Sequence, residues 1–161
     1  MSELSATCIR NKEAVESIIR CLFTHYECQY THVTFTNGRI AHVPFYVSKT
    51  NDFVHSADNV ANLRATCSQF SGKRFSAMAV RRKIPVIISP LCESENFSTH
   101  PLVVGRPGLT SFVSVPLVIG NEFVGSICMY WTTGKCNTSI WAYEAAFGYA
   151  RDIADILQKS T

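Results

Sequence analysis

The sequence predicts an α+β fold in which one antiparallel sheet is covered by helices. Three observations carry this reading. Two turn signals, Asn37-Gly38 and Gly120-Asn121, each separate a pair of strand-type runs, and amphipathic helical patterns stand near both ends of the chain. Hairpins build antiparallel ladders, whereas a parallel sheet needs a long crossover after each strand.

The first helix is read from Asn11, a plausible N-cap. Val15, Ile18, Ile19, Leu22 and Tyr26 follow the spacing of one helical face. Tyr30 to Thr36 and Arg39 to Val47 are rich in Thr, Val, Phe and Tyr and form the first hairpin. With Asn37-Gly38 as a two-residue turn, Thr36 faces Arg39 and Val33 faces His42, which sends His32 to the opposite side of the sheet from His42. The two histidines therefore cannot share a metal. Pro44 has no N–H to give to a ladder, so its strand lies at an edge or carries a bulge.

Ser48 to Ser56 reads as a loop, and Asp58 to Phe70 and Lys73 to Lys83 read as helices separated near Ser71-Gly72. Ile84 to Ser89 is a short apolar strand stopped by Pro90. Leu91 to Leu109 is a long segment broken by Pro101, Gly105, Pro107 and Gly108, and a connection of that length in a small domain is more often functional than idle, so it is the candidate lid. Ser111 to Ile119 and Glu122 to Trp131 form the second hairpin, with Gly125 marking a bulge or a close backbone approach. Thr138 to Lys159 closes the chain as a helix with Tyr143, Ala146, Phe147, Ala150, Ile153, Ala154 and Leu157 on one face.

With 161 residues, 47% of them hydrophobic and 17% charged, the chain reads as a single domain spanning residues 1–161. A chain this long buries roughly 70% of its unfolded surface, so no disulfide or metal is needed to hold a core. A net charge of +3 is too small to argue a nucleic-acid partner. No apolar run approaches the roughly 20 residues that span a bilayer, and the longest candidate, Phe112 to Ile119, contains Ser114 and Pro116. With no readable secretory or transit signal, the expected compartment is the cytoplasm. The seven cysteines include no C-x-x-C pair and read as reduced thiols, with no metal site among them. The sequons at Asn96 and Asn137 then have no route to glycosylation.

The second half, from about Phe75 to Leu157, resembles a GAF domain, the small-molecule sensor module of signalling proteins. The resemblance rests on an ordered set: the helix-to-strand run Ala79-Val80-Arg81-Arg82-Lys83-Ile84-Pro85-Val86-Ile87-Ile88-Ser89, the variable segment Leu91 to Leu109, Ser114-Val115-Pro116-Leu117, the turn Gly120-Asn121, Val124-Gly125 and the closing helix. Many members carry an aspartate where this chain has Ser89. The family implies a GAF/PAS-like central antiparallel sheet with terminal helices on one face and a ligand pocket under loops on the other. It also implies a homodimer, or a fused or partner output domain, as the route of the signal.

On that frame the expected ligand-binding residues are Cys92, Phe97, His100 and Leu102 in the lid, with Phe112, Ser114, Cys128 and Tyr130 on the last two strands. Alternation puts Phe112, Ser114 and Pro116 on one face of their strand and Cys128 and Tyr130 on one face of theirs. A serine, a thiol and a phenol among phenylalanines suit a mostly apolar pocket, and they suit plain core packing equally. No cofactor is named: His55 or His100 is a lone loop histidine for haem, and neither Cys92 nor Cys128 has the adjacent histidine frequent in bilin-attaching relatives. Lys73, Arg74, Arg81, Arg82 and Lys83 concentrate positive charge around one helix, explained by the helix macrodipole for the last three or by an anionic ligand.

The reading preferred from sequence is a non-catalytic sensor. The alternatives are a thiol reductase using Cys92, similar to free methionine sulfoxide reductases, and an empty GAF fold dimerising through the Val15 and Phe147 faces. Glu93 and Glu95 beside Cys92 disfavour its thiolate, and no acid stands beside Cys128-Met129-Tyr130, which counts against the reductase.

Overall fold

The structure, a computed structural model, describes residues 3–36, 41–48, 79–80, 82–88, 111–131 and 139–160. Two helices, α1 (Glu3–Arg10) and α2 (Lys12–His25), lead into β1 (Tyr30–Thr36) and β2 (Ala41–Ser48). The short β3 (Val86–Ile88) precedes the long hairpin β4 (Ser111–Ile119) and β5 (Glu122–Trp131). A 3₁₀ turn (Ile140–Tyr143) then opens into α3 (Glu144–Lys159). The helices read at Asp58 to Phe70 and through most of Lys73 to Lys83, and the lid read at Leu91 to Leu109, lie outside the described residues; Ala79, Val80 and Arg82 are helical.

The strands form a five-stranded sheet in the order β2-β1-β5-β4-β3, antiparallel at every pairing. One face carries Val33, Phe35, Val113, Val115, Leu117, Ile127 and Met129, and these pack with Val15, Ile19 and Leu22 of α2 and Ala146, Ala150, Ile153, Ala154 and Leu157 of α3 into one core. The buried residues of α2 and α3 all fall on the stripes read from periodicity, of which Ile18, Tyr26 and Phe147 are only partly buried. Val15 is wholly buried inside this core, so its face of α2 packs on the sheet and is not open to a second copy.

The β4–β5 hairpin has the ends that its alternation and turn indicate. Gly120 takes φ +62, a conformation that costs a residue with a Cβ, and Ile119 pairs with Glu122 across the turn. Both roles expected of Gly125 are present. The register slips beside it, leaving Val124 as the extra residue, and a Cβ on Gly125 would overlap the carbonyl oxygen of Thr34 while standing 3.1 Å from Cα of Phe35.

The first hairpin is connected differently from the two-residue turn. Thr36 pairs with Ala41, Phe35 with His42 and Val33 with Phe45, so the connection is residues 37–40 and Val33 does not face His42. The hairpin also carries an irregularity in β2. Between Val33 and Phe35 the register shifts, and both Val43 and Pro44 fall opposite Thr34, so the residue without an N–H is absorbed in a bulge on the edge strand. The edge position and the bulge are the two outcomes that Pro44 indicated.

Two boundaries also move. The strand read from Ile84 begins at Val86, while Ser89 lies outside the described residues, and the closing helix begins with the 3₁₀ turn before α3 proper. Helix α1 has no counterpart in the sequence reading. It is held at Asn11, whose N–H and Nδ2 both donate to the Thr7 carbonyl at 3.1 and 2.9 Å, while Thr7 and Cys8 are buried. Helix α2 ends in a Schellman pattern, with Glu27 N–H donating to Thr24 O and Cys28 N–H to Phe23 O, and Glu27 at φ 52.

Candidate functional site

The sheet face turned away from the helices differs in chemistry from the one that packs on them. Registers place His32 opposite Cys128, Thr34 opposite Ser126, Ser114 opposite Cys128 and Phe112 opposite Tyr130. Alternation puts these side chains together on one face across β1, β5 and β4. All seven are completely buried.

Burying a hydroxyl or an imidazole is costly unless it is hydrogen-bonded, and here the partners are present. The Nε2 atom of His32 lies 3.1 Å from the Tyr130 hydroxyl and Nδ1 lies 2.7 Å from the Thr34 hydroxyl. A neutral imidazole has one donor and one acceptor nitrogen, and a hydroxyl can serve either, so both tautomers fit. The His32 and Tyr130 rings also stack, with centroids 5.5 Å apart, and Phe112 leans on Tyr130 at 5.1 Å. The Cys128 thiol sits between two hydroxyls, 3.4 Å from Ser126 Oγ and 3.7 Å from Ser114 Oγ.

Phe112, Ser114, Cys128 and Tyr130 are thus brought together as the sequence indicated, while Cys92, Phe97, His100 and Leu102, with His55, lie outside the described residues. The reading from sequence missed His32, Thr34 and Ser126. Ser126 was within reach, since it shares the alternation of Cys128 and Tyr130. His32 and Thr34 join the group only through the β1–β5 pairing, a contact across 98 residues between His32 and Tyr130. His32 beside Cys128 is a two-donor pair, and no cluster of three or more His, Cys, Asp or Glu occurs among the described residues.

The strip is joined to the helices at the end of β5. Tyr130 belongs to the strip, and its neighbour Trp131 donates from Nε1 to the Tyr26 carbonyl at 3.0 Å. The Tyr26 hydroxyl in turn accepts the Ala146 N–H at 3.0 Å, and its ring stacks on Tyr143 at 5.4 Å. Burial pushes the Tyr26 phenol above its ordinary pKa. On the other side of the core, burial pushes the Cys8 thiol up to about 12. No helix among the described residues is long and apolar enough to cross a membrane.

No curated protein matches the chain. Solved structures share the fold at low identity. The GAF domain/HD domain protein from Geobacter sulfurreducens matches with a TM-score of 0.64 at 14% identity, over 99% of this chain and 98% of that one. The type II free methionine-R-sulfoxide reductase from Thermoplasma acidophilum gives 0.65 at 10% identity, over 98% and 96%. The photoproduct state of GAF3 from Slr1393 of Synechocystis sp. PCC6803 gives 0.64 at 12% identity, over 92% and 94%. The GAF domain family matches residues 13–146, most of the chain. With the sheet, its order of elements and this match in agreement, the chain belongs to the GAF domain family.

Proposed function

We propose that this GAF domain is a regulatory sensor that binds a small molecule on the polar strip of its sheet and signals through its terminal helices. The observation that carries the reading is the strip itself. The helix-packed face is dominated by aliphatic side chains, whereas this one holds an imidazole, a phenol, a thiol and three hydroxyls beside Phe112. A few convergent polar groups among apolar ones are what fixes a ligand's orientation in a pocket. Phe112, Ser114, Cys128 and Tyr130, with His32, are the proposed contacts on the sheet, and Cys92, Phe97, His100 and Leu102 those from the segment after β3. The path from Tyr130 through Trp131 and Tyr26 to the start of α3 supports the output step. The signal then passes to a second copy or to an output domain, in the cytoplasm.

A thermal-shift screen over metabolites and nucleotides tests the reading, since a ligand that binds only the folded state raises the unfolding midpoint. At least one compound is expected to raise it, and to do so less in Tyr130→Phe. A protein that no compound shifts counts against a sensor. The second reading, a thiol reductase acting through Cys92, is favoured by the shared fold with the Thermoplasma acidophilum reductase. Turnover of free methionine sulfoxide that disappears in Cys92→Ser would establish it, and absence of turnover in the parent removes it.

A further inference from the structure

A cleft lies where the β4–β5 hairpin meets α3, lined by none of the seven polar-strip residues. Its lining includes Lys83, Pro116, Val118, Phe123, Phe147 and Arg151, and this open cleft has a volume of about 360 Å³. That is within the usual size of small-molecule pockets. The described walls are apolar except for the two cations, and Val118 is 36% exposed.

Both cations stand at the solvent side of the cleft. Lys83 and Arg151 are both exposed, and neither forms an ion pair with a described residue, although Asp155 stands four residues beyond Arg151 on α3. Lys83 also holds φ 56, a left-handed conformation that glycine adopts without strain. The helix macrodipole accounts for a cation near this helix end but not for Arg151 in the middle of α3. Arg151 lies one turn beyond Phe147, on the same helical face, so its guanidinium shares the cleft with an aromatic ring.

We propose that this cleft binds a small amphipathic anion, a carboxylate carried on an apolar body, with the body against Pro116, Val118, Phe123 and Phe147 and the carboxylate between Lys83 and Arg151. Charge complementarity selects the occupant: two cations with no ion-pair partner among the described residues, beside an apolar wall, fit one anionic group, and an arginine fork matches a carboxylate in two-point contact. The site is independent of the ligand on the polar strip.

The test is an amide-resonance titration of the full chain with octanoate, repeated with octylamine and with an Asp/Glu-rich peptide carrying two leucines. Octanoate is expected to give saturable shifts at Lys83, Val118, Phe123 and Arg151, octylamine none there, and the double variant Lys83→Gln/Arg151→Gln is expected to bind octanoate at least tenfold more weakly with its melting profile unchanged. Three results overturn the proposal: octanoate shifts confined to His32, Cys128 and Tyr130, equal binding by octylamine, or saturation by the peptide where octanoate does not saturate. Equal octanoate affinity in the double variant also overturns it.

Discussion

The hydroxyl of Tyr26, just past the end of α2, accepts the backbone N–H of Ala146 in the first turn of α3 at 3.0 Å. The residue that precedes α3, Tyr143, makes no side-chain cap of its own, so a residue distant in sequence satisfies one of the N–H groups that every helix leaves open. Tyr26→Phe keeps the stacking on Tyr143 and removes only that acceptor. It is expected to cost about 1 kcal/mol and to lower the thermal midpoint by roughly 2–4 °C. A differential scanning measurement on the two proteins checks it; an unchanged midpoint would show that Ala146 is not capped by the phenol.

Alkaline pH should destabilise the fold through Cys8. Its thiol is buried in the core and held up to about 12 against an ordinary 9.0, so the folded state keeps a proton that the unfolded state releases. The stability that the thiol contributes is complete below pH 9.0 and is lost as pH rises toward about 12. Each pH unit in that window costs at most about 1.4 kcal/mol. Tyr26, also raised by burial, adds to the loss above 10.0. Urea unfolding at a series of pH values should show a flatter alkaline limb in Cys8→Ala, which itself costs about 1 kcal/mol at neutral pH for lost packing.

Two backbone positions predict opposite outcomes. At Gly125 any side chain meets the Thr34 carbonyl of the neighbouring strand, so Gly125→Ala should destabilise by about 3 kcal/mol or yield insoluble protein. At Glu27 the left-handed conformation of the α2 C-terminus favours glycine, and Glu27→Gly should stabilise by about 1 kcal/mol. Denaturant midpoints for the two variants, moving in opposite directions from the parent, are the check.

Tyr130→Phe removes the hydroxyl that meets Nε2 of His32 in a completely buried setting. Withdrawing one partner from a buried polar group costs about 1–3 kcal/mol. The expected loss in urea stability falls in that range, and a neutral effect would mean that the His32 pairing contributes nothing.

How much of this was readable beforehand depended on the range of the interaction. The β4–β5 hairpin was legible because Gly120-Asn121 and the alternation of Phe112 to Trp131 are local signals. Helices α2 and α3 were legible because Val15, Ile19, Leu22 and Ile153, Ala154, Leu157 repeat at helical spacing. Helix α1 was not, since it has eight residues and owes its place to Thr7 and Cys8 packing against the rest of the fold. Pro44 announced an edge or a bulge, but the pairing of Thr36 with Ala41, which sets the partner of His42, differs from the two-residue turn that Asn37-Gly38 suggested. Half of the polar strip followed from alternation along β4 and β5, but His32 and Thr34 enter through strand pairing, which no local pattern in the sequence specifies.

The most direct test of the sensor reading is native mass spectrometry of the freshly purified protein, before and after denaturation, on the parent and on Cys128→Phe, which fills the strip. An added mass in the parent that is released on denaturation and absent from the variant is the expected result. A parent that carries no added mass, and that gains none when incubated with the metabolite and nucleotide library, would contradict it.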